Sequence, residues 1–273
     1  MSPLSDGEDI IILDSKGREY LVRLKRDGLF STHRGTIPHD LIIGKEEGAL
    51  LTTEGGGKYT VFRPTFNQFI MNLKRAAQII YPKDIGPILL WGDVHPGAFV
   101  VEGGAGWGAL TIALLRALGE KGRLVTYEIR EDFAKKTLEN VERFLGKVDN
   151  FELKLGDIYG GIEERDVDRV ILDLPEPWQA LSHAAAALKS GGILLAYLPT
   201  IIQVRELCET IRDSKTFTEP EVFEVSHRPW NVKGLSVRPV SWVFSHSAFI
   251  TVTRKKSLDV GAVRERPLHS FKD

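Results

Sequence analysis

Only one cysteine, Cys208, occurs in 273 residues, so no intramolecular disulfide can form and a reducing compartment fits best. No Cys/His spacing of the zinc type exists either, and no metal is expected; Cys208 reads as a small buried apolar residue. No apolar run approaches the roughly 20 residues that a membrane-spanning helix needs. The opening stretch MSPLSDGEDI is acidic and lacks the basic-then-apolar layout of a secretory leader. A cytoplasmic protein with no membrane partner is therefore expected. At 42% hydrophobic and 27% charged residues, the chain has an ordinary globular make-up and can form one large or two unequal domains.

Acids are also missing locally. From Gly55 to Lys83 there is none, while Lys58, Arg63, Lys74, Arg75 and Lys83 are basic. From Ser226 to Lys256 there is again none, with Arg228, Lys233, Arg238, Arg254, Lys255 and Lys256. These two windows hold 11 of the 36 Lys and Arg, which leaves 25 to face all 37 acids elsewhere, although the formal net charge is only −1. Rings interleave with the charge: Tyr59, Phe62, Phe66, Phe69 and Tyr81 in the first window, Trp230, Trp242, Phe244 and Phe249 in the second. Cations for phosphates and ring faces for bases make up a nucleic-acid surface; the competing reading is solvated charge over packed rings. Lys74, Arg75, Arg228 and Lys233 are the candidate RNA contacts.

Residues 8–63 read as short strands, DIIIL, EYLVRLK, GALLTTE and KYTVFR, between the turns DSKG, RDG and EGGG, which suggests a small barrel-like β-domain over 1–63. Beyond it, strands and helices alternate. Strands are expected at Ala98–Val101, Arg123–Tyr127, Phe151–Leu155, in DRVILD and in ILLAYLP, and helices at Ala109–Leu118, Asp132–Leu145, Gln179–Lys189 and Ile201–Asp213. Such alternation means βαβ units and a mainly parallel, doubly wound sheet over 64–256. Two final strands, near 221–227 and 247–253, lack a long helix between them and should pair antiparallel at one edge. Residues 257–273 are polar and aperiodic, a mobile tail.

In such a sheet, ligands sit beyond the carboxyl ends of the strands. There the chain reads VVEGGAGWGAL. Gly104, Gly106 and Gly108 allow close approach of backbone to ligand and of helix to strand. The pattern alone also fits a dinucleotide loop, G-x-G-x-x-A. Glu128, at the end of the second strand, is placed to accept both ribose hydroxyls. Glu102, directly before the glycines, would repel a pyrophosphate but suits the ammonium group of a methionine moiety, so S-adenosylmethionine is favoured over NAD. Asp157, after the third strand, can accept from an adenine amino group, and Asp173 closes the fourth strand in ILDLPEPW, on the acceptor side. Any one of these acids could be a helix cap or a solvated loop residue; four on successive strand ends are a pattern. Trp178 offers either a ring to the acceptor or an anchor for the next helix, and His246 reads as structural.

The segments FRPTFNQFIMNLKRAAQIIYPKD, GGAGWGALT, YEIREDF, ILDLPEPW, AALKSGGILLAYLPT and HSAFI together resemble the tRNA (adenine-58-N1)-methyltransferase family in its archaeal and bacterial homomeric form. The resemblance covers nearly the whole chain; the run around Tyr81 and DLPEPW are its specific parts. It implies a Rossmann-like class I methyltransferase sheet, S-adenosylmethionine as cofactor, tRNA as substrate and a homotetramer. It also implies cofactor contacts at Trp107, Gly108, Ala109, Leu110, Glu128, Phe133, Asp157 and Asp173, with Asp173 as catalytic aspartate and Tyr81 and Tyr197 as active-site tyrosines. Where the family usually has Ser or Thr, this chain has Trp107, so that contact can only be through backbone. A methyltransferase for another acceptor, such as a protein carboxylate or a corrin precursor, and a non-catalytic tRNA-binding subunit are the alternatives.

Overall fold

The computed structural model describes residues 2–73, 79–241 and 246–257. Lys74, Arg75, Trp242, Phe244 and nearly all of the expected tail lie outside them.

Six strands come first: β1 (Asp9–Asp14), β2 (Glu19–Arg23), β3 (Leu29–Thr32), β4 (Gly35–Pro38), β5 (Leu50–Thr52) and β6 (Lys58–Phe62). Four form an antiparallel sheet in the order β2-β1-β6-β5, and β3 and β4 make a separate hairpin. Leu4, Ile10, Ile12, Leu24, Ile37, Ile42, Tyr59 and Val61 fill the core beneath them. The other face of the sheet turns toward the rest of the chain. Leu21, paired with Ile11, packs against the larger core, and Arg143 donates to the buried Asp9 carboxylate at 2.8 Å. Helix α1 (Phe66–Asn72) follows at once, opened by a capping box in which Thr65 and Gln68 satisfy each other's backbone N–H groups.

The larger layer contains α2 (Pro82–Trp91), β7 (Phe99–Gly103), α3 (Ala109–Leu118), β8 (Arg123–Glu128), α4 (Glu131–Leu145), β9 (Phe151–Leu155), β10 (Val167–Leu172), α5 (Leu181–Ala187), β11 (Leu188–Leu198), α6 (Ile201–Ser214), β12 (Glu221–Glu224), a hairpin of β13 (Trp230–Lys233) and β14 (Ser236–Pro239), and β15 (Phe249–Arg254). Seven strands form one sheet in the order β12-β15-β11-β10-β7-β8-β9. It is parallel except for β15, which runs antiparallel to both of its neighbours. The expected antiparallel pair is thus present, with the last strand inserted between β11 and β12 rather than added outside.

One expected helix is shortened. Gln179–Lys189 resolves into a 3-10 turn at Pro177–Ala180, then α5, and the chain is already strand at Leu188, which pairs with Val167. Gly191 and Gly192 do not stop a helix. They lie inside β11, where Gly191 takes a φ of +79° and the pair exchanges backbone hydrogen bonds with Lys255.

Strand alternation sorts the side chains. Val100, Leu124, Ile171 and Leu195 face the core shared with α3 and α4, while Val101, Val125, Val170, Leu172 and Ala196 face α5 and α6. Continuing the period of two toward the carboxyl ends puts Glu102, Thr126, Glu128, Asp173 and Tyr197 on the α3 side together.

Candidate active site

The three glycines after β7 serve three different ends. Gly104 takes a φ of +89°, and a Cβ there would collide with the carbonyl oxygen of Asp173. Gly108 takes +81° and lies against Thr137 of α4, where a Cβ would stand 3.2 Å from the Thr137 methyl. Gly106 takes +54° and faces open space. Its N–H is held by Glu128 and its carbonyl by the Thr137 hydroxyl, so what it leaves open is the Cα face. Ala109 and Leu110 begin α3 with their side chains in the core, so only their backbone N–H groups point toward the loop. The Trp107 indole packs against the same core, with the Lys136 ammonium 5.7 Å from its ring centroid. Its carbonyl accepts from Asn140 Nδ2 at 3.0 Å, and its indole N–H is buried without a partner among the described residues.

Glu102 is fully buried. Thr111 and Thr126 both donate to its Oε2, at 2.8 and 2.7 Å, and its Oε1 accepts from no described residue. Burial pushes its carboxyl up to about 8, and the charges of Asp173 and Glu128 add to the shift. Asp173 stands half-buried beside Gly104, with no described donor on its carboxylate. Burial, then the Glu128 charge, pushes it up to about 7. Glu128 braces the glycine loop: its Oε2 accepts from the N–H groups of Ala105 and Gly106 at 3.0 and 3.1 Å, and its Oε1 from Arg130 at 2.9 Å. A carboxylate has about four acceptor positions, so capacity remains for a further donor. Asp157 caps a 3-10 turn by accepting from the Tyr159 N–H at 2.9 Å, and it is exposed at the end of β9. Phe133 of α4 is half-buried under the Arg130 guanidinium, 3.6 Å from the ring centroid.

Three acids crowd on one face, two of them held toward their neutral forms, and no basic side chain among the described residues is paired with any of the three; the nearest cation, Arg130, stands over Phe133. Such a site would repel a pyrophosphate and accept an ammonium or a sulfonium. The unpartnered Glu102 oxygen, the bare face of Gly106 and the spare capacity of Glu128 fit S-adenosylmethionine in kind.

Beside Asp173, Tyr197 follows β11 residue Ala196, which pairs with Leu172. The two side chains are therefore neighbours on one face, and the Asp173 charge adds to the rise that burial imposes on the Tyr197 phenol. The Tyr197 hydroxyl donates to Asp84 Oδ2 at 2.9 Å. Tyr81 is the N-cap residue of α2, half-buried. Trp178 is half-buried against the α5–α6 core, as an anchor. His246 bridges Glu224 at 2.7 Å and the Pro199 carbonyl at 3.0 Å, and these acceptors raise its pKa, the carbonyl foremost.

The basic windows thin out in three dimensions. Arg63 is paired with Glu8 and Glu47, Arg254 and Lys255 donate to the carbonyls of Gly191 and Leu188, and Lys83 is half-buried in an ion pair with the buried Asp84. Phe69 is fully buried. Lys58, Arg228, Lys233, Arg238 and Lys256 remain exposed. Arg228 lies 5.9 Å from the ring of Trp230, itself 55% exposed. Sequence reasoning missed the Lys83–Asp84 pair; the only signal was two adjacent opposite charges in the first turn behind Pro82.

A seven-stranded sheet with one antiparallel strand, an acid at the first strand end, a glycine turn and acids on the next strands make the class I methyltransferase fold, which implies S-adenosylmethionine as cofactor. Comparison with known proteins narrows this. Residues 57–258 match the family described as the tRNA methyltransferase complex GCD14 subunit, and residues 3–51 match the TrmI-like N-terminal family. The chain belongs to this tRNA methyltransferase family. It is 38% identical over 247 residues to the tRNA (adenine(58)-N(1))-methyltransferase TrmI of Thermus thermophilus, covering 90% of this chain and 96% of that one. It is 32% identical over 269 residues to the tRNA (adenine(57)-N(1)/adenine(58)-N(1))-methyltransferase TrmI of Methanocaldococcus jannaschii, covering 89% and 94%. Among solved structures, a Thermotoga maritima protein described as an SAM-dependent O-methyltransferase superposes with a TM-score of 0.90 at 33% identity, covering 95% of this chain and 97% of that one. TrmI of Aquifex aeolicus superposes at 0.82 with 28% identity, covering 93% and 99%.

Proposed function

We propose that this chain methylates N1 of adenine 58 in the T-loop of tRNA, with S-adenosylmethionine as donor. The observation that carries the reading is Asp173: a half-buried carboxylate with no described donor, beside the glycine loop and Tyr197, in a chain 38% identical to a relative named for that reaction. S-adenosylmethionine, held by the residues named below, would supply an electrophilic methyl group on a sulfonium: an N–C bond to adenine N1 would form as the C–S bond breaks, its electron pair leaving with the neutral thioether.

The chain's own residues do the rest. Glu102 offers its free oxygen to the ammonium and Glu128 its spare acceptor positions to the ribose. Asp157 meets the adenine amino group of the cofactor, Phe133 lies beside it, and the backbone of Gly104, Gly106, Trp107, Gly108, Ala109 and Leu110 follows its outline. Adenine N1 needs no strong base. What requires stabilisation is the positive charge that the ring acquires, and Asp173 does this by accepting from the exocyclic amine as that charge develops. The N1 edge is paired in folded tRNA, so the base must leave its stack to reach the site. Tyr81 and Tyr197 form the walls that receive it. Arg228 and Lys233, with Lys74 and Arg75, contact the RNA backbone.

A cytoplasmic homotetramer is the proposed assembly. Its support is the β13–β14 hairpin, where Trp230, Val232, Leu235 and Val237 are all more than half exposed, an apolar ribbon suited to a second copy. Among the described residues, no metal cluster and no helix long and apolar enough to cross a membrane is found. Mass spectrometry of nucleosides from unmodified tRNA incubated with the protein and labelled cofactor tests the function. Labelled 1-methyladenosine at position 58 is expected; label on protein carboxylates alone would overturn the reading, and label at 57 as well would extend it.

A further inference from the structure

A closed polar cluster lies beneath the acceptor side, and the reaction described above makes no direct use of it. Asp84, fully buried in the first turn of α2, accepts from Lys83 Nζ at 2.7 Å through Oδ1, and through Oδ2 from Tyr197 Oη at 2.9 Å and Ser247 Oγ at 2.6 Å. Lys83 spends its other two protons on the Val225 carbonyl at 2.7 Å and on Ser247 Oγ at 2.5 Å. Every Lys83 proton has an acceptor, and the Ser247 hydroxyl accepts from Lys83 while donating to Asp84. The cluster joins four segments far apart in sequence: the start of α2, the end of β11, the chain after β12 and the chain before β15.

Burying an ion pair gains little stability, because the desolvation of two charges offsets their attraction, and apolar residues of similar volume often serve as well or better. What such a cluster supplies is a fixed arrangement, and here its members show what is fixed. The Asp84 backbone N–H donates to the Tyr81 carbonyl at 2.9 Å while its carboxylate holds the Tyr197 hydroxyl. The carboxylate thus ties the first turn of α2, which begins at its N-cap Tyr81, to the Tyr197 hydroxyl, and Tyr197 is next to Asp173 in the sheet register.

We propose that Lys83, Asp84 and Ser247 are positioning residues that set Tyr81 and Tyr197 against Asp173, so that the acceptor ring is presented at the angle that methyl transfer requires. The proposal rests on the methyl-transfer reading. It further fixes the role of Tyr197: its hydroxyl is committed to Asp84, and the acceptor meets the ring alone.

Ser247→Ala is the chosen perturbation, since it removes one link and leaves the Lys83–Asp84 pair. Misplacement of reacting groups by about an ångström typically costs on the order of 100-fold, so a single-turnover rate about 10- to 100-fold below wild type is expected, measured well below the melting temperature. Affinities for S-adenosylhomocysteine and tRNA should stay within about twofold, and Ser247→Thr, which keeps the hydroxyl, should restore the rate. Tyr197→Phe acts through the same oxygen of Asp84, so the double variant should lose little more than the worse single variant. A lowered melting temperature with a wild-type rate, or fully multiplicative losses, would overturn the proposal. If wild-type protein labels no tRNA, the function reading falls by itself. Hydrogen exchange then decides the positioning claim: faster exchange in residues 79–91 and 193–200 of Ser247→Ala upholds it, and unchanged exchange ends it.

Discussion

Binding of the methionine end of the cofactor should expel a proton, and Glu102 is its source. The carboxyl is fully buried, its ordinary value of 4.5 is lifted to about 8, and one of its oxygens has no described partner. At pH 7 such a group is about nine-tenths protonated in the free protein. An ammonium placed on the open oxygen favours the ionised form, so the pKa falls on binding and close to one proton is released. Affinity should then rise with pH by nearly tenfold per unit between about 6 and 8 and level off above. S-adenosylhomocysteine is the right probe, because it has the ammonium without the sulfonium and leaves Asp173 largely out of the balance. Calorimetry at pH 7 in buffers of different ionisation enthalpy reads the proton count from the slope of apparent enthalpy. Glu102→Gln should abolish most of that slope. The stability sign follows as well. The folded protein holds the proton between the unfolded and folded values, so wild-type stability falls as pH rises through that window. The Gln variant should lose that decline and melt higher at pH 8. A buffer-independent enthalpy together with flat affinity from pH 6 to 8 would refute the reasoning.

Asp173→Asn should bind tRNA and stay folded yet transfer methyl groups about 100- to 1,000-fold more slowly in single-turnover experiments at saturating cofactor; a near wild-type rate would show that charge is not its contribution. Gly104→Ala should fold poorly, because its Cβ meets the Asp173 carbonyl, whereas Gly106→Ala should fold but bind cofactor weakly, its Cβ entering the open face; thermal melts with and without S-adenosylhomocysteine separate the two. Trp107→Ser should lower the melting temperature by about 2–4 °C through lost packing on α4 and leave cofactor affinity unchanged, since only backbone is offered there. Charge reversal at Arg228 and Lys233 should weaken tRNA binding and reduce its salt slope by about one for each lost phosphate contact, and an unchanged slope would show that these side chains face only solvent.

Much of the layered fold could be read from local rules. Ala109–Leu118 begins behind a positive-φ glycine and ends at another, and both ends are visible in GWG and GEKG. Phe151–Leu155 is likewise bounded by turn residues. What misled was Gly191-Gly192. A glycine pair after a helical run reads as a stop, yet here the chain had already turned to strand at Leu188, and the glycines absorb a register shift against β10 and the crossing of Lys255. That outcome depends on a partner more than 60 residues away, which local propensity cannot register. The insertion of β15 between β11 and β12 is of the same kind: antiparallel pairing is legible, lateral order is not. The hairpins β3–β4 and β13–β14 and the helices α1 and α2 carried weaker patterns and passed unread.

The site divides along the same line. Glycines and acids at strand ends are recognisable because a period of two and a strand's last residue fix where they point. Which of them press upon one another is a matter of register between strands, and the charges decide the chemistry. Glu102 and Asp173 lie 71 positions apart, yet the Asp173 charge raises the affinity of Glu102 for a proton once β7 and β10 pair Glu102 with Ile171. Charge counted along the sequence errs in the opposite direction. Lys83 adds one to a basic window, but in the fold its proton-bearing nitrogen meets Asp84, Ser247 and a carbonyl, and none of that charge is left for RNA. An acidic residue in the first turn of a helix is ordinarily explained by the helix dipole alone. Asp84 satisfies that rule while its carboxylate also holds Tyr197, Ser247 and Lys83, so the rule that explains its presence also concealed those contacts.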